Sequence, residues 1–204
     1  SIAALDQLRS DTDWAALEGA VDAMEGASRL EFYGVGASGL VAADAQQKFF
    51  RVGRPTVAYS DPHQQVVSAS IADPTTALVL FSFTGQSPEI VEAAQIAQAG
   101  DAIRVGVTRT GSPLAAACSH VIPVPEMEDT FLHTPMASRL VQLPLVDVLV
   151  SALALRCGPE LDTRLGRIKS ALGRMKSGGG QVSAGMNPEQ QRGPFETCKG
   201  GPSS

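Results

Sequence analysis

The chain has 204 residues, 44% of them hydrophobic and only 5% aromatic, enough to build one domain core from small aliphatic side chains. Its net charge of −5 excludes a basic stripe of the kind that grips nucleic acid. No uninterrupted apolar run reaches the roughly 18 residues of a membrane span, no basic-then-apolar leader opens the chain, and its three cysteines, Cys118, Cys157 and Cys198, form no CxxC pair. That pattern argues against a disulfide framework or a zinc site and fits a reducing cytoplasm. The first residue is Ser, not Met, which reads as the start of a fragment.

In chain order, the first amphipathic stretch runs from Asp13 to about Glu25, with the lone Trp14 as its anchor. Residues 29–33 read as a strand, and 34–36 as a turn. A helix follows with Val41, Ala45, Phe49 and Val52 on one face and Gly53 as its stop. A short strand spans 55–59. Ser60-Asp61-Pro62 then opens a helix, with a capping residue ahead of a first-turn proline. Strand 76–81 and helix 88–99 come next, then strand 102–108, a short helix from about Ser112-Pro113, and strand 120–124. Residues 135–156 form a long helical pattern that is apolar nearly all round, and such a helix must be covered, which suggests a dimer surface. A last helix spans about 159–175. From 177 to 204 the chain is rich in Gly, Pro, Ser and Gln and has almost no apolar periodicity, so it is expected to be a disordered tail behind a domain of 1–176.

Five strands alternating with helices predict the α/β class: a three-layer α/β/α sandwich around a five-stranded parallel sheet. Such sheets bind ligands beyond the carboxyl ends of their strands, where the strand order reverses. Two turns at predicted strand ends carry candidate chemistry. Gly34-Val35-Gly36-Ala37-Ser38-Gly39 matches the G-x-G-x-x-G pattern, and Asp61 stands 22 residues past Gly39, where a ribose-binding acid would sit in a dinucleotide site. Asp61 is equally well placed as a helix cap. The second turn, Ser82-Phe83-Thr84-Gly85-Gln86-Ser87, crowds three hydroxyls and a glycine into a strand-to-helix junction. A helix start favours an anion, hydroxyls add rotatable donors, and Gly85 allows close backbone approach. One N-cap would explain Ser87 alone, but not Ser82 and Thr84 as well. With Ser38 from the neighbouring strand, these residues make a phosphate cradle that needs no lysine.

The two turns resemble the ligand loops of the sugar isomerase (SIS) domain, whose second loop often reads S-x-S-G-x-T; Thr84 and Ser87 replace the second Ser and the Thr, hydroxyl for hydroxyl. The resemblance implies a phosphosugar ligand held by Gly36, Ser38, Ser82, Thr84, Gly85 and Ser87. Residues 59–70 (YSDPHQQVVSAS), 108–121 (TRTGSPLAAACSHV) and 134–149 (TPMASRLVQLPLVDVL) are further similar to the effector domain of RpiR-type transcriptional regulators, nearest to the hex-regulon repressors. That likeness implies a cytoplasmic homodimer, an N-terminal helix-turn-helix domain that binds DNA and lies outside this chain, and 2-keto-3-deoxy-6-phosphogluconate as effector. In some relatives a glucokinase precedes the regulator. No catalytic residue, cofactor or metal is expected on this reading. The rival is an aldose–ketose phosphate isomerase with Glu126 or His133 as general base. Four residues are candidate ligand contacts of a second rank: Lys48 for a ligand carboxylate, His63 at a helix start, and Glu126 and His133 in the polar loop after the last strand. Arg139 reads as an ion-pair or subunit residue.

Overall fold

Six-residue strands β1 (Arg29–Gly34), β3 (Thr76–Phe81) and β4 (Ile103–Thr108) lie between four-residue edge strands β2 (Thr56–Tyr59) and β5 (His120–Pro123). All pair in parallel in the order β2-β1-β3-β4-β5. This is the computed structural model of the chain, and it describes residues 2–125 and 136–178. Two compact units divide it, the first Ser1–Asp162 and the second beginning at Thr163.

β3 is buried throughout, and β1 and β4 are buried beyond their first one or two residues, as a sheet covered on both faces requires. Alternate residues feed two cores. Phe32, Val79, Phe81, Val105 and Val107 pack under α1 (Ile2–Asp11), α2 (Trp14–Gly26), α3 (Ala37–Val52) and α7 (Met136–Arg156). Tyr33, Leu78 and Leu80 face α4 (Pro62–Ser70), α5 (Pro88–Gln98) and α6 (Pro113–Ala117). The three-layer sandwich expected from the sequence is therefore the fold. Local chemistry places the helix starts: Asp13 accepts from the Ala16 N–H at 2.9 Å, Asp61 from Gln64 at 2.9 Å and Ser112 from Ala115 at 3.2 Å. Pro62, Pro88 and Pro113 sit where a helix has no use for an N–H.

Two features add to the reading from sequence. Residues 2–11, unassigned from sequence, form α1, held by Ala4 and Leu8 in the core. One stripe of α7 is covered within its own chain: Val141, Leu145, Val146, Leu149 and Leu153 are buried and α1, α2 and α3 all pack on the helix, while Leu155 stays exposed. Ser138–Arg156 is long and apolar enough to cross a bilayer by length and composition alone, and its buried residues belong to the core under the sheet. The final helix, α8, covers Pro159–Gly178, and the tail expected from 177 lies outside the described residues beyond that point.

Candidate functional site

The strand order reverses between β1 and β3, so the carboxyl ends of these two strands flank the crevice of a doubly wound sheet. Gly34 pairs with Phe81 at that edge, which sets the loops that follow them about 4.8 Å apart, the spacing of neighbouring strands. The two glycine-hydroxyl turns read from the sequence are these two loops.

In the first, Gly34 is compelled by crowding: a Cβ there would stand 2.3 Å from the Ser38 carbonyl oxygen. Gly36, the residue before α3, has φ +58° and ψ −124° with open space beside it. Only glycine takes that backbone without strain. Ser38, in the first turn of α3, is half-buried and donates its hydroxyl to Oε1 of Gln142 on α7 at 3.4 Å.

In the second loop the hydroxyls bond to one another and to the turn itself. Ser82 is 3% exposed, and its Oγ lies 3.1 Å from Oγ of Ser87. Thr84 Oγ1 accepts the Gln86 N–H at 3.3 Å. Ser87 occupies the N-cap of α5, yet its side chain makes no cap bond. The simple alternative, that Ser87 is there to cap a helix, therefore fails. The Ser82–Ser87 pair uses one hydroxyl proton and leaves one, and Thr84, as an acceptor from Gln86, keeps its own. The first N–H groups of α5 add donors and the positive end of the helix dipole. An arrangement of neutral donors around a helix start is suited to a phosphate.

Gly85 has a packing role that the sequence did not show. At φ +67° its missing Cβ would fall 2.1 Å from Ser112 Oγ and 2.5 Å from Thr108 Oγ1. Its N–H goes to the Ser82 carbonyl at 3.1 Å and its carbonyl takes the Leu114 N–H at 3.2 Å. Close approach is needed here by the neighbouring loop. That neighbour, in turn, carries Thr108 and Ser112, paired at 3.3 Å.

Of the second-rank candidates, two fall within the described residues. Lys48 sits eleven residues into α3, roughly 16 Å along the helix axis from its start, and its ammonium pairs with Asp44 at 2.8 Å and with Asp147. His63 is exposed in the first turn of α4. Glu126 and His133 lie outside the described residues. Asp61 is a helix cap, and the strand order differs from that of a dinucleotide fold, so the G-x-G-x-x-G match marks a tight strand-to-helix turn. Among the described residues no cluster of His, Cys, Asp and Glu could hold a metal.

Three residues around the site were missed from sequence. Gln65 donates from Nε2 to the Tyr59 carbonyl at 2.8 Å and the Gly34 carbonyl at 3.3 Å, tying the ends of β2 and β1 together. Gln142 backs Ser38. Arg109, one residue past β4, holds its guanidinium 5.7 Å from the Phe83 ring centre and has a buried Nε without a partner. The available signal was a polar residue inside an apolar run: Gln142 stands between Val141 and Leu143. Beneath the first loop, Tyr33 and Ser68 hydroxyls donate to the buried Glu31 carboxylate at 2.7 and 2.8 Å, and Arg29 pairs with it from the surface. Burial pushes the Tyr33 phenol far above its usual range.

Comparison with known proteins agrees with this geometry: the SIS domain family matches residues 23–152. The chain belongs to the SIS family. It is 40% identical to the HTH-type transcriptional regulator HexR of Pseudomonas aeruginosa over 172 residues, 84% of this chain and 60% of that protein. It is 34% identical to the bifunctional protein glk of Paraburkholderia xenovorans over 76% of this chain and 24% of that one. Among solved structures, NanR of Vibrio vulnificus complexed with ManNAc-6P superposes with a TM-score of 0.78 at 25% identity, over 85% of this chain and 66% of that one. This SIS domain thus spans under two thirds of the length of the curated relatives it matches first.

Proposed function

We propose that the chain is the effector-binding part, within residues 1–176, of a cytoplasmic HexR-type regulator of sugar catabolism, and that it senses a phosphorylated sugar acid without turning it over. The observation that carries this reading is the pair of hydroxyl protons left over on Ser82/Ser87 and on Thr84 at the start of α5, next to the loop of Ser38 at the strand-order reversal. Phosphate would sit there. Arg109, at the same rim with an unpartnered Nε, is a fit partner for a carboxylate, and this supports 2-keto-3-deoxy-6-phosphogluconate as the ligand. Gly36 opens the first loop to it. DNA would be bound by a helix-turn-helix domain on the N-terminal side, outside this acidic chain, and a homodimer would match two half-sites. Ligand acts on such a dimer only through unequal affinity for its arrangements. A phosphate bridging the ends of β1 and β3 and the start of α5 provides a contact that one arrangement can make better than another.

The test is calorimetric titration with phosphorylated sugars and sugar acids, with product analysis on the same samples. Binding of the sugar acid that is lost in Ser82→Ala/Thr84→Ala, with no interconversion, supports the sensor. Absence of binding to every phosphosugar sinks it, and steady turnover transfers the site to isomerase chemistry.

A further inference from the structure

Gln142 lies on α7 with 1% of its surface exposed, among Val141, Leu145 and Val146 of the core. Its Oε1 takes the Ser38 hydroxyl at 3.4 Å, and its Nε2 has no hydrogen-bond partner. Exchanging the amide's oxygen and nitrogen does not remove the deficit, because Ser38 offers a single bond and one end of the amide stays unpaired either way. A buried donor without a partner is costly, and an apolar residue would pack there without the cost. The deficit stands directly behind a cradle hydroxyl. It also comes from the opposite layer to the second loop: α7 packs on the face carrying Phe81 and Val107, whereas α5, which Ser87 precedes, packs on the face carrying Leu80.

We infer that Gln142 is a ligand-contacting residue that reads the sugar portion, donating its free amide hydrogen to a hydroxyl or carbonyl oxygen of the carbon chain while the hydroxyl loop holds the phosphate. This rests on the phosphosugar reading above. A neutral amide suits an uncharged oxygen, and its separation from the second loop makes it a gauge of how far the ligand extends from its phosphate. The site then prefers phosphorylated chains long enough to reach α7 over inorganic phosphate or glycerol phosphate.

The experiment measures dissociation constants for inorganic phosphate, glycerol 3-phosphate, glucose 6-phosphate and 6-phosphogluconate in the wild type, Gln142→Met and Gln142→Asn, with the unfolding midpoint of each free protein. For the tightest six-carbon ligand both variants are expected to weaken binding on the order of tenfold, while inorganic phosphate changes less than twofold. Free Gln142→Met is expected to be at least as stable as the wild type, since an unpaired amide has been removed. A purely structural role moves stability and all four affinities down together, and that outcome overturns the inference. Unchanged six-carbon affinity in both variants overturns it as well. Should Gln142→Met not fold, Gln142→Asn, which keeps the amide but withdraws it by one methylene, carries the comparison. A wild type that binds none of the four removes the phosphosugar reading and this inference with it; a wild type that binds, beside variants that bind equally well, removes only the inference.

Discussion

Ser87 shows how little a residue's position says about its work. It precedes Pro88 at the head of α5, yet its hydroxyl turns to Ser82. Asp61, at the same place on α4, does cap. The two are expected to separate cleanly: Asp61→Ala should lower stability by about 1 kcal/mol and leave ligand affinity alone. Ser87→Ala should cost less stability and weaken phosphosugar binding, as paired urea and calorimetric titrations will show. Gly85→Ala, with φ +67° and no room for Cβ, should destabilise by about 1–3 kcal/mol. Gly19→Ala, inside α2 with nothing within 4 Å, should instead stabilise by roughly 0.5–1 kcal/mol; the opposite signs of the two midpoint shifts are the check. Lys48→Met should leave ligand affinity unchanged, because its ammonium belongs to Asp44 and Asp147. Burial pushes the Cys118 thiol up to about 12, against the opposing pull of Arg104. The folded chain therefore holds this proton where the unfolded chain has released it, and stability falls as pH rises from about 9 toward about 12. Cys118→Ala should flatten the loss of urea midpoint over that window, leaving the part due to Tyr33 above pH 10.

At the scale of elements, the sheet and most helices were legible because their signals are local. Strand 76–81 and the start of the helix at 88 coincide with β3 and α5, since a buried apolar run, a proline and a spacing of 3.6 leave little choice. The helix at 2–11 was not legible: its mixed, charged sequence buries only Ala4 and Leu8, and it is held by contacts with α7 rather than by its own pattern. For α7 the composition was read rightly, and its own chain covers part of the helix, leaving Leu155 exposed. A helix apolar all round needs cover, but nothing in its own residues tells a sheet and three neighbouring helices from a second subunit. Within the candidate site, Ser38, Ser82, Thr84 and Ser87 were legible as hydroxyls crowded at strand ends. Gln65, Arg109 and Gln142 were not, because each reaches the site from an element distant in sequence.

For the molecule as a whole, the acidic balance and the parallel sheet divide the work between this chain and whatever accompanies it. With a net charge of −5, the chain alone should not retard duplex DNA at physiological salt in a gel-shift assay. Light scattering on the chain is expected to give the mass of two copies, in line with the homodimer proposed above. A monomer at tens of micromolar would place dimerisation elsewhere in the longer protein.

What the sequence determined by itself was the alternation of strand and helix, and with it the sheet and the rim where ligands collect, because hydrophobic period and turn chemistry act within a few residues. What only the tertiary structure decided was the assignment of roles at that rim: that the Ser87 hydroxyl turns to Ser82 instead of capping, which loop Gly85 makes room for, and which buried amide is left with a hydrogen to give. Those outcomes depend on groups from β1, β3, β4 and α7 meeting in space, and a hydrogen bond or a clash exists only once both partners have been placed.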